Sequence, residues 1–307
     1  MNDRVVLEEG PRGTTAPRVL DPRVSSPGLL RRLILRESPR KVKVNAVLRF
    51  YHEVLGLDHL HYGLWNGEAR TLEGLKAAQH RFSRHLCEWI PEEVRSVLDV
   101  GCGTGSTALL LKEAGFQVEG LSPDPYHQDI FARRVGAPFH LRRFQEFEPA
   151  RAYDLVLMSE SAQYIWLDRI FPSVQRSGAP SGYLLVADYF TVNGCHGALA
   201  KSGHPLDTFL ERAEAAGLLL ERSEDVTEAV APTLALAQSW LETYVEPCLT
   251  MASDSLASRH PHLARLGRWL FRGRIAKLYE LKKLVDSDEF RRNKRYHFLL
   301  FRLPRQS

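Results

Sequence analysis

The stretch of sequence that decides the fold is VLDVGCGTGS at residues 97–106. An apolar strand runs directly into three glycines at alternate positions, Gly101, Gly103 and Gly105, and a helix is expected from about Thr107. Glycine tolerates positive φ angles and, because it lacks a Cβ atom, lets a ligand lie against the backbone. In open α/β sheets the turn at the carboxyl end of the first strand is where nucleotide-like ligands bind.

The spacing of these glycines separates classes of nucleotide-like ligand. A dinucleotide-binding turn has the pattern G-x-G-x-x-G, and its last position is occupied here by Ser106. A phosphate-binding Walker loop requires G-x-x-x-x-G-K-[S/T], which the chain lacks. The pattern G-x-G-x-G therefore predicts a different ligand from either.

Short apolar runs alternate with helical patterns on the carboxyl side of residue 96, which is typical of βαβ units. The sequence predicts an α/β fold with a doubly wound, mostly parallel, seven-stranded Rossmann-like sheet, amino-terminal helices and a helical insertion before the last strand. The predicted strands are Val97–Val100, Val118–Leu121, Phe139–Phe144, Tyr153–Met158, Gly182–Phe190, Leu218–Glu221 and Tyr296–Leu303.

Four regions are expected along the chain. Residues 1–28, with scattered prolines and charges, are expected to form a flexible tail, and residues 29–95 an amino-terminal helical cap. In that cap, helices are predicted from about Leu29, over Val42–Leu55, and from Thr71, as a helix cap, to about Trp89. Residues 96–225 and 296–307 should form the sheet domain. Residues 226–295 form a helical insertion, interpreted as a lid or an oligomer contact, and a basic stretch over 259–295 favours a solvated face or an anion-attracting rim.

The composition excludes few functions but sets the expected compartment. The 307 residues carry a formal charge of +4 and a pI near 8.9, a mild basic excess that does not single out nucleic acid. Four widely separated cysteines without a CxxC pair argue against a disulfide framework or a structural zinc site. No apolar run is long enough to span a bilayer, and no secretory signal is recognised. We expect a cytoplasmic protein, as a monomer or homodimer.

The run from Asp99 to Gly105 resembles motif I of the class I S-adenosylmethionine-dependent methyltransferases. The resemblance covers about residues 45–190, together with the last strand, and is nearest to the small-molecule branch that includes cyclopropane-fatty-acid-synthase-like and tocopherol- and sterol-methyltransferase-like enzymes. It implies S-adenosyl-L-methionine as the cofactor, with Gly101, Gly103 and Gly105 around its methionine part and Asp99 nearby.

The second strand departs from the family pattern. The family usually carries Asp or Glu at its end, where the side chain accepts both ribose hydroxyls, but this chain has Ser122 there, followed by Pro123 and Asp124. Either Ser122 or Asp124 could bond the ribose. After the third strand, Phe144 and Gln145 occupy the family's adenine contacts, Phe144 by its ring face and Gln145 by donating and accepting; core packing is the alternative for Phe144.

Candidate catalytic residues come from two segments. Met158 to Tyr164 lies, by resemblance, under the reacting methyl group, and Glu160 is interpreted as a substrate-orienting group or general base. The alternative is a helix start with Ser159 as the cap. The segment LHYGLW at residues 60–65 resembles a family segment that folds over the cofactor; its Tyr62 approaches the methionyl end, and His61 is a second candidate base. No metal site is predicted.

Three functions remain open at this point. The leading interpretation is methyl transfer to a small-molecule acceptor of specialised or lipid-like metabolism, with C-, N- or O-methylation undecided and no nucleic acid expected as a partner. The second is a nucleic-acid or protein methyltransferase that docks through the basic insertion. The third is a cofactor-binding protein without catalysis, which the serine at position 122 keeps open.

Overall fold

The fold was analysed in a computed structural model that describes residues 49–197, 199–260, 262 and 282–305. The predicted tail over 1–28, the helix from Leu29, the start of the helix over Val42–Leu55 and most of the basic stretch lie outside the described residues. Of the Val42–Leu55 helix, the described part forms a π-helical turn over Phe50–Val54.

The predicted seven-stranded sheet is confirmed. Its strands lie in the order β3-β2-β1-β4-β5-β7-β6. All neighbouring pairs are parallel except those of β7, which runs antiparallel to both β5 and β6. The strands are β1 Ser96–Val100, β2 Gln117–Leu121, β3 Phe139–His140, β4 Tyr153–Ser159, β5 Gly178–Thr191, β6 Leu219–Asp225 and β7 Lys294–Arg302.

Helices cover both faces of the sheet, and the core forms two main apolar clusters, one on each face. The helices are α1 Leu72–Glu88, α2 Ser106–Glu113, α3 Pro125–Arg134, α4 Leu167–Ser177, α5 Leu206–Ala215, α6 Thr227–Val230, α7 Pro232–Trp240, α8 Glu246–Arg259 and α9 Ser287–Asn293. The predicted cap at Thr71 is confirmed, because its hydroxyl accepts a hydrogen bond from the Gly74 backbone N–H at 3.1 Å.

Several predicted strand bounds were wrong. The strand predicted over Phe139–Phe144 ends at His140, because the chain turns away from the sheet edge and Phe144 enters a 3₁₀ turn. β5 begins four residues earlier than predicted, at Gly178, and a register irregularity opposite Tyr153–Leu155 accommodates the extra residues. β6 extends to Asp225 although its residues are mostly exposed, because an edge strand does not need an apolar pattern.

The parallel strands point their carboxyl ends to one edge of the sheet, where β1 meets the glycine loop and β4 meets Glu160. Because β7 is antiparallel, its first residue, Lys294, starts at that same edge. Within the part of the chain that the structure describes, every helix is too short or too polar to cross a bilayer.

Candidate active site

The glycine loop leaves one side open. All three of its glycines have positive φ angles: 81° at Gly101, 53° at Gly103 and 83° at Gly105. A Cβ atom on Gly101 would lie 2.4 Å from that of Ser161, and one on Gly105 would lie 2.6 Å from Val135, so the fold itself requires these two glycines. A Cβ atom on Gly103 would meet Leu60 at 3.6 Å and the Gly101 carbonyl oxygen at 4.0 Å, both ordinary contact distances. Gly103 therefore faces free space above the loop.

Asp99 offers an unsatisfied acceptor beside this loop. Its side chain is 3% exposed, and Oδ2 has no hydrogen-bond partner among the described residues. Burial raises the pKa of this carboxyl to about 7. A buried polar oxygen without a partner costs free energy, and a ligand that donates a hydrogen bond or carries a positive charge would remove that cost.

The segment before the sheet domain folds across the loop, as the resemblance implies. The Asp58 carbonyl accepts hydrogen bonds from the hydroxyls of Thr104, at 2.8 Å, and Ser106, at 2.5 Å. Arg134 of α3 forms a salt bridge with the Asp58 carboxylate. The loop, the segment and α3 are thus joined at one point, which fixes the following residues, Leu60 to Trp65, above the carboxyl edge.

Glu160 lies at the end of β4 in a left-handed conformation, with φ 52°. Such a conformation is strained for a residue other than glycine, and strain of this kind is common at functional sites. Its Oε1 accepts hydrogen bonds from the Tyr62 backbone N–H at 2.7 Å and the Tyr296 hydroxyl at 2.9 Å. Oε2 receives no donor from the described residues. Burial raises the pKa of the carboxyl to about 8.

The helix-cap interpretation of this segment is wrong. Ser159, the predicted cap, is the last residue of β4, and its hydroxyl has no hydrogen-bond partner among the described residues. The next helical turn, a 3₁₀ turn, begins only at Ala162. Ser161 instead donates to the Val100 carbonyl at 2.5 Å, which ties the segment to the end of β1. The backbone around Glu160 is therefore held at the sheet edge by β1 and β5, and its carboxyl by Tyr62 and by Tyr296 of β7, and not by a helix.

Tyr62 belongs to an aromatic wall beside Glu160. Its ring centroid lies 5.8 Å from those of Tyr296 and Phe290 and 6.3 Å from that of Tyr189. Burial raises the pKa of the Tyr62 hydroxyl well above its ordinary value, with a further contribution from Glu160. Tyr62 thus contributes an apolar ring to the wall and fixes Glu160 through its backbone.

The described part of the insertion contacts the amino-terminal segment. Thr233 of α7 accepts hydrogen bonds from the Gly63 N–H at 3.0 Å and the Trp65 indole N–H at 2.8 Å. Leu236 of α7 is buried with Trp65 in a third apolar cluster, and Phe290 of α9 lies against Tyr62. α7 and α9, two helices of the described part of the insertion, therefore approach the same edge of the sheet as the glycine loop.

His61 lacks a free ring nitrogen. Nδ1 lies 2.7 Å from the Tyr62 carbonyl, and Nε2 lies 3.0 Å from the Ser83 hydroxyl, which also contacts His59 at 3.1 Å. Burial lowers the pKa of His61 to about 4 and that of His59 to about 2. In this arrangement Glu160 is the better placed of the two candidate bases.

These histidines predict a pH-dependent stability. A lowered pKa in the folded state means that the unfolded chain binds the proton first, so stability is lost as pH falls below 6.5. For His61 the loss between pH 7 and pH 5 is about 2 kcal/mol. Urea titrations at both pH values should show a smaller difference in the free energy of unfolding for His61→Phe than for the wild type. His260→Gln, at the exposed end of α8, is the control and should retain the full difference.

A polar corner lies at the end of β2. The Ser122 hydroxyl accepts from the Asp124 backbone N–H at 3.2 Å and lies 3.3 Å from His127 Nδ1. Asp124 caps α3 by accepting from the Tyr126 N–H at 3.0 Å. His127 is 5% exposed, and its Nε2 has no partner among the described residues. Sequence reasoning missed His127, although its place in the first turn of the helix after β2 was available as a signal.

The remaining predicted residues are unequally accessible. Phe144 is 2% exposed and Met158 is fully buried, and both belong to one of the two main apolar clusters. Gln145 is half-buried in the 3₁₀ turn after β3. The ring of Phe144 is thus occupied by core packing, the alternative considered for it. The role of Gln145 stays a prediction. No three metal-ligating side chains come together among the described residues.

A separate groove of about 740 Å³ lies between α1, the end of β6 and α9. Its charged side chains are paired with neighbours, such as His85 with Glu224 and Arg291 with Glu228, each at 2.9 Å. It is lined by Leu64 and Trp65 of the amino-terminal segment, but not by the glycine loop, Asp99 or Glu160. The chemistry-bearing groups therefore converge on the loop and not on this groove.

Comparisons with known proteins agree with the sheet and the loop. Residues 69–218 match the family described as a methyltransferase domain. A curated relative, the methyltransferase GfsG of Streptomyces halstedii, is 28% identical over 200 residues, which cover 57% of this chain and 71% of that protein.

Solved structures share the fold at low sequence identity. A [4+2]-cyclase, SpnF, has a TM-score of 0.63 and 20% identity, covering 85% of this chain and 96% of its own. The geranyl diphosphate C-methyltransferase of Streptomyces coelicolor A3(2) has a TM-score of 0.61 and 14% identity, with coverage of 84% and 96%. An O-methyltransferase from a trans-AT PKS multienzyme of Brevibacillus brevis, in complex with S-adenosyl-L-homocysteine, has a TM-score of 0.57 and 16% identity, with coverage of 80% and 85%.

Proposed function

We propose that this chain, which matches a methyltransferase-domain family over residues 69–218, transfers the methyl group of S-adenosyl-L-methionine to a small, largely apolar acceptor. The observation that carries the proposal is the meeting of three features at one sheet edge. These are the open side of Gly103, the unpaired Asp99 oxygen and Glu160, which is half-buried and has a strained backbone.

The residues around the loop fit the cofactor. S-adenosyl-L-methionine supplies an electrophilic methyl group on a sulfonium centre, so the protein mainly has to align it and exclude water. Asp99 suits an ammonium group because its buried Oδ2 lacks a donor. Ser122 and His127 suit a ribose hydroxyl, and Gln145 suits adenine. Gly103 leaves the space in which the cofactor lies against the backbone.

The walls of the cleft indicate the class of acceptor. Tyr62, Tyr189 and Phe290 present aromatic rings beside Glu160, which favours a ring-bearing or lipid-like acceptor of specialised metabolism. Glu160 takes a proton from the acceptor's oxygen, nitrogen or activated carbon, and its Oε2 receives no other donor from the described residues. The four cysteines are free, which supports a reducing, cytoplasmic setting.

One experiment tests the proposal even while the acceptor is unidentified. The protein is incubated with extracts of its source cells and methyl-labelled S-adenosyl-L-methionine, and products are sought by mass spectrometry. We expect one or a few labelled, organic-extractable small molecules that are absent when Glu160→Gln replaces the wild type. Label only in nucleic acid or protein, or no label above the background of heat-inactivated protein, would contradict the proposal.

The ribose contacts proposed for the polar corner at the end of β2 can be tested by removing them one at a time. Ser122→Ala and His127→Ala should each weaken cofactor binding by about 1–3 kcal/mol, because each leaves a ribose hydroxyl without its partner. Isothermal titration calorimetry measures the loss. Asp124→Ala separates capping from binding, since losing the cap costs about 1 kcal/mol of folding stability whatever its effect on the cofactor. Wild-type affinity in all three variants would mean that the ribose lies elsewhere.

A further inference from the structure

The turn after β4 is held from both ends by two consecutive residues of β5. The Glu160 backbone N–H donates to the Ala187 carbonyl at 2.8 Å. The Gln163 backbone N–H donates to Oδ2 of Asp188 at 3.1 Å. Between these two anchors the chain has room only for a tight turn, and Glu160 takes its left-handed conformation there. The Asp188 side chain therefore acts on the backbone that presents Glu160.

Burying the ionisable side chain of Asp188 at this position costs free energy. It is 1% exposed, its Oδ1 accepts from the Tyr189 N–H at 2.8 Å, and no salt bridge reaches it from the described residues. The nearby Lys294, fully buried, donates its ammonium hydrogens to Ser202 instead. A neutral asparagine or serine could accept a turn hydrogen bond without the cost of burying a carboxylate. Holding the turn therefore does not by itself explain why an ionisable residue stands at position 188.

We propose that Asp188 is a positioning residue for Glu160, which anchors the turn that presents the Glu160 carboxyl and brings a second, buried carboxyl to that turn. The inference rests on the proposed function in one respect, namely that Glu160 is the group that takes the acceptor's proton. The coupling between the two side chains is a property of the protein alone and can be measured without acceptor or cofactor.

The electrostatics of the cleft support the pairing. Burial is the largest cause of the raised pKa of Glu160, and the negative charge of Asp188 raises it further, whereas the bonds from Tyr62 and Tyr296 lower it. Burial likewise raises the pKa of Asp188 to about 7, against the opposing effects of its backbone donors and of Lys294. The titratable groups that interact with one or both carboxyls are Tyr51, Tyr62, Tyr164, Tyr189, Tyr296 and Lys294.

The consequence is a stronger base than a solitary glutamate. Two neighbouring carboxyls resist carrying two negative charges, so the second proton leaves the pair at a higher pH than the first. Once Glu160 is ionised, its Oε2 takes a proton from a weakly acidic O–H or N–H group more readily, because Asp188 disfavours the charge that the proton removes. The hydrogen bonds to the turn keep Glu160 in place while its charge changes.

Carboxyl ¹³C NMR of the ligand-free protein tests this. The Glu160 carbon is identified as the signal that titrates far above ordinary glutamates and is missing from Glu160→Gln. In Asp188→Asn we expect its titration midpoint to fall by about one pH unit, because the like charge is gone. Asp154→Asn is the matched control. Asp154 also accepts backbone N–H bonds, from Arg95 at 3.0 Å and Ser96 at 2.9 Å, but at the opposite edge of the sheet.

The outcomes decide between a positioning role and a purely structural one. A midpoint that falls in Asp188→Asn and stays unchanged in Asp154→Asn supports the proposal. An unchanged midpoint in folded Asp188→Asn overturns it, even if that variant is less stable. If Asp188→Asn does not fold, the wild type still decides, since coupled carboxyls each show both titration steps and independent ones show a single step. Failure of the assumption that Glu160 takes the acceptor's proton appears separately, as turnover that survives Glu160→Gln.

Discussion

Gly103→Val should lose S-adenosyl-L-methionine binding while the protein remains folded. Gly101 and Gly105 cannot report on the cofactor, because a side chain on either would collide with Ser161 or with Val135 and Phe131. Gly103 has no protein neighbour closer than 3.6 Å to the position of a Cβ atom. Valine would fill the free space above the loop, and we expect the affinity measured by calorimetry to fall at least about 100-fold, or roughly 2.7 kcal/mol.

Backbone strain is the effect that this experiment has to separate from steric exclusion. Valine at a φ of 53° costs about 1–2 kcal/mol whatever occupies the space. Gly115 is a matched control, because its φ is 96° and a Cβ atom there would meet nothing within 4 Å. Gly115→Val should lose similar stability in urea and keep wild-type affinity. Equal affinities for the wild type and Gly103→Val would place the cofactor away from the loop.

The sequence predicted the sheet because local pattern and tertiary context agree there. The apolar run before Gly101 is stable only as a strand that is covered on both faces. The glycines at alternate positions form the turn that follows this strand. Thr71 could be identified as a cap because its hydroxyl acts on the Gly74 N–H, three residues along the chain. The ends of β3 and β6 were missed because both are edge strands, where burial imposes little pattern.

The candidate site was predictable only as far as its residues follow a strand end. Glu160 comes directly after β4, so its position at the sheet edge could be inferred. Its left-handed backbone could not, because that conformation depends on Asp188, which lies 28 residues further along the chain. His61 seemed suitable as a base because its ordinary pKa is near neutrality, whereas burial against Ser83 and Phe82 is a tertiary effect. His127 was missed, although its place in the first turn of the helix after β2 could be inferred from the sequence.

Glu160→Gln should lower turnover about 100- to 10,000-fold, the range for removing a positioned proton acceptor. Glutamine keeps the size of the side chain and can still accept from the Tyr62 N–H and the Tyr296 hydroxyl. Cofactor affinity should therefore change little. Glu160→Gln should not destabilise the protein near neutral pH. A carboxyl whose pKa is raised from 4.5 to about 8 in the folded state makes the folded protein less stable as pH rises between these values. The loss is about 1.4 kcal/mol per pH unit, and glutamine removes it.

The pH dependence of the reaction gives the same prediction a sharper form. Because the free enzyme holds Glu160 protonated below its pKa of about 8, kcat/KM for the acceptor should rise with pH and level off above that value. The rise should disappear in Glu160→Gln and persist in Glu146→Gln, which removes an exposed carboxylate from the turn after β3. Initial rates with labelled cofactor and the acceptor identified from extracts provide the measurement. A profile that rises equally in the wild type and in Glu160→Gln would assign the proton transfer to another group.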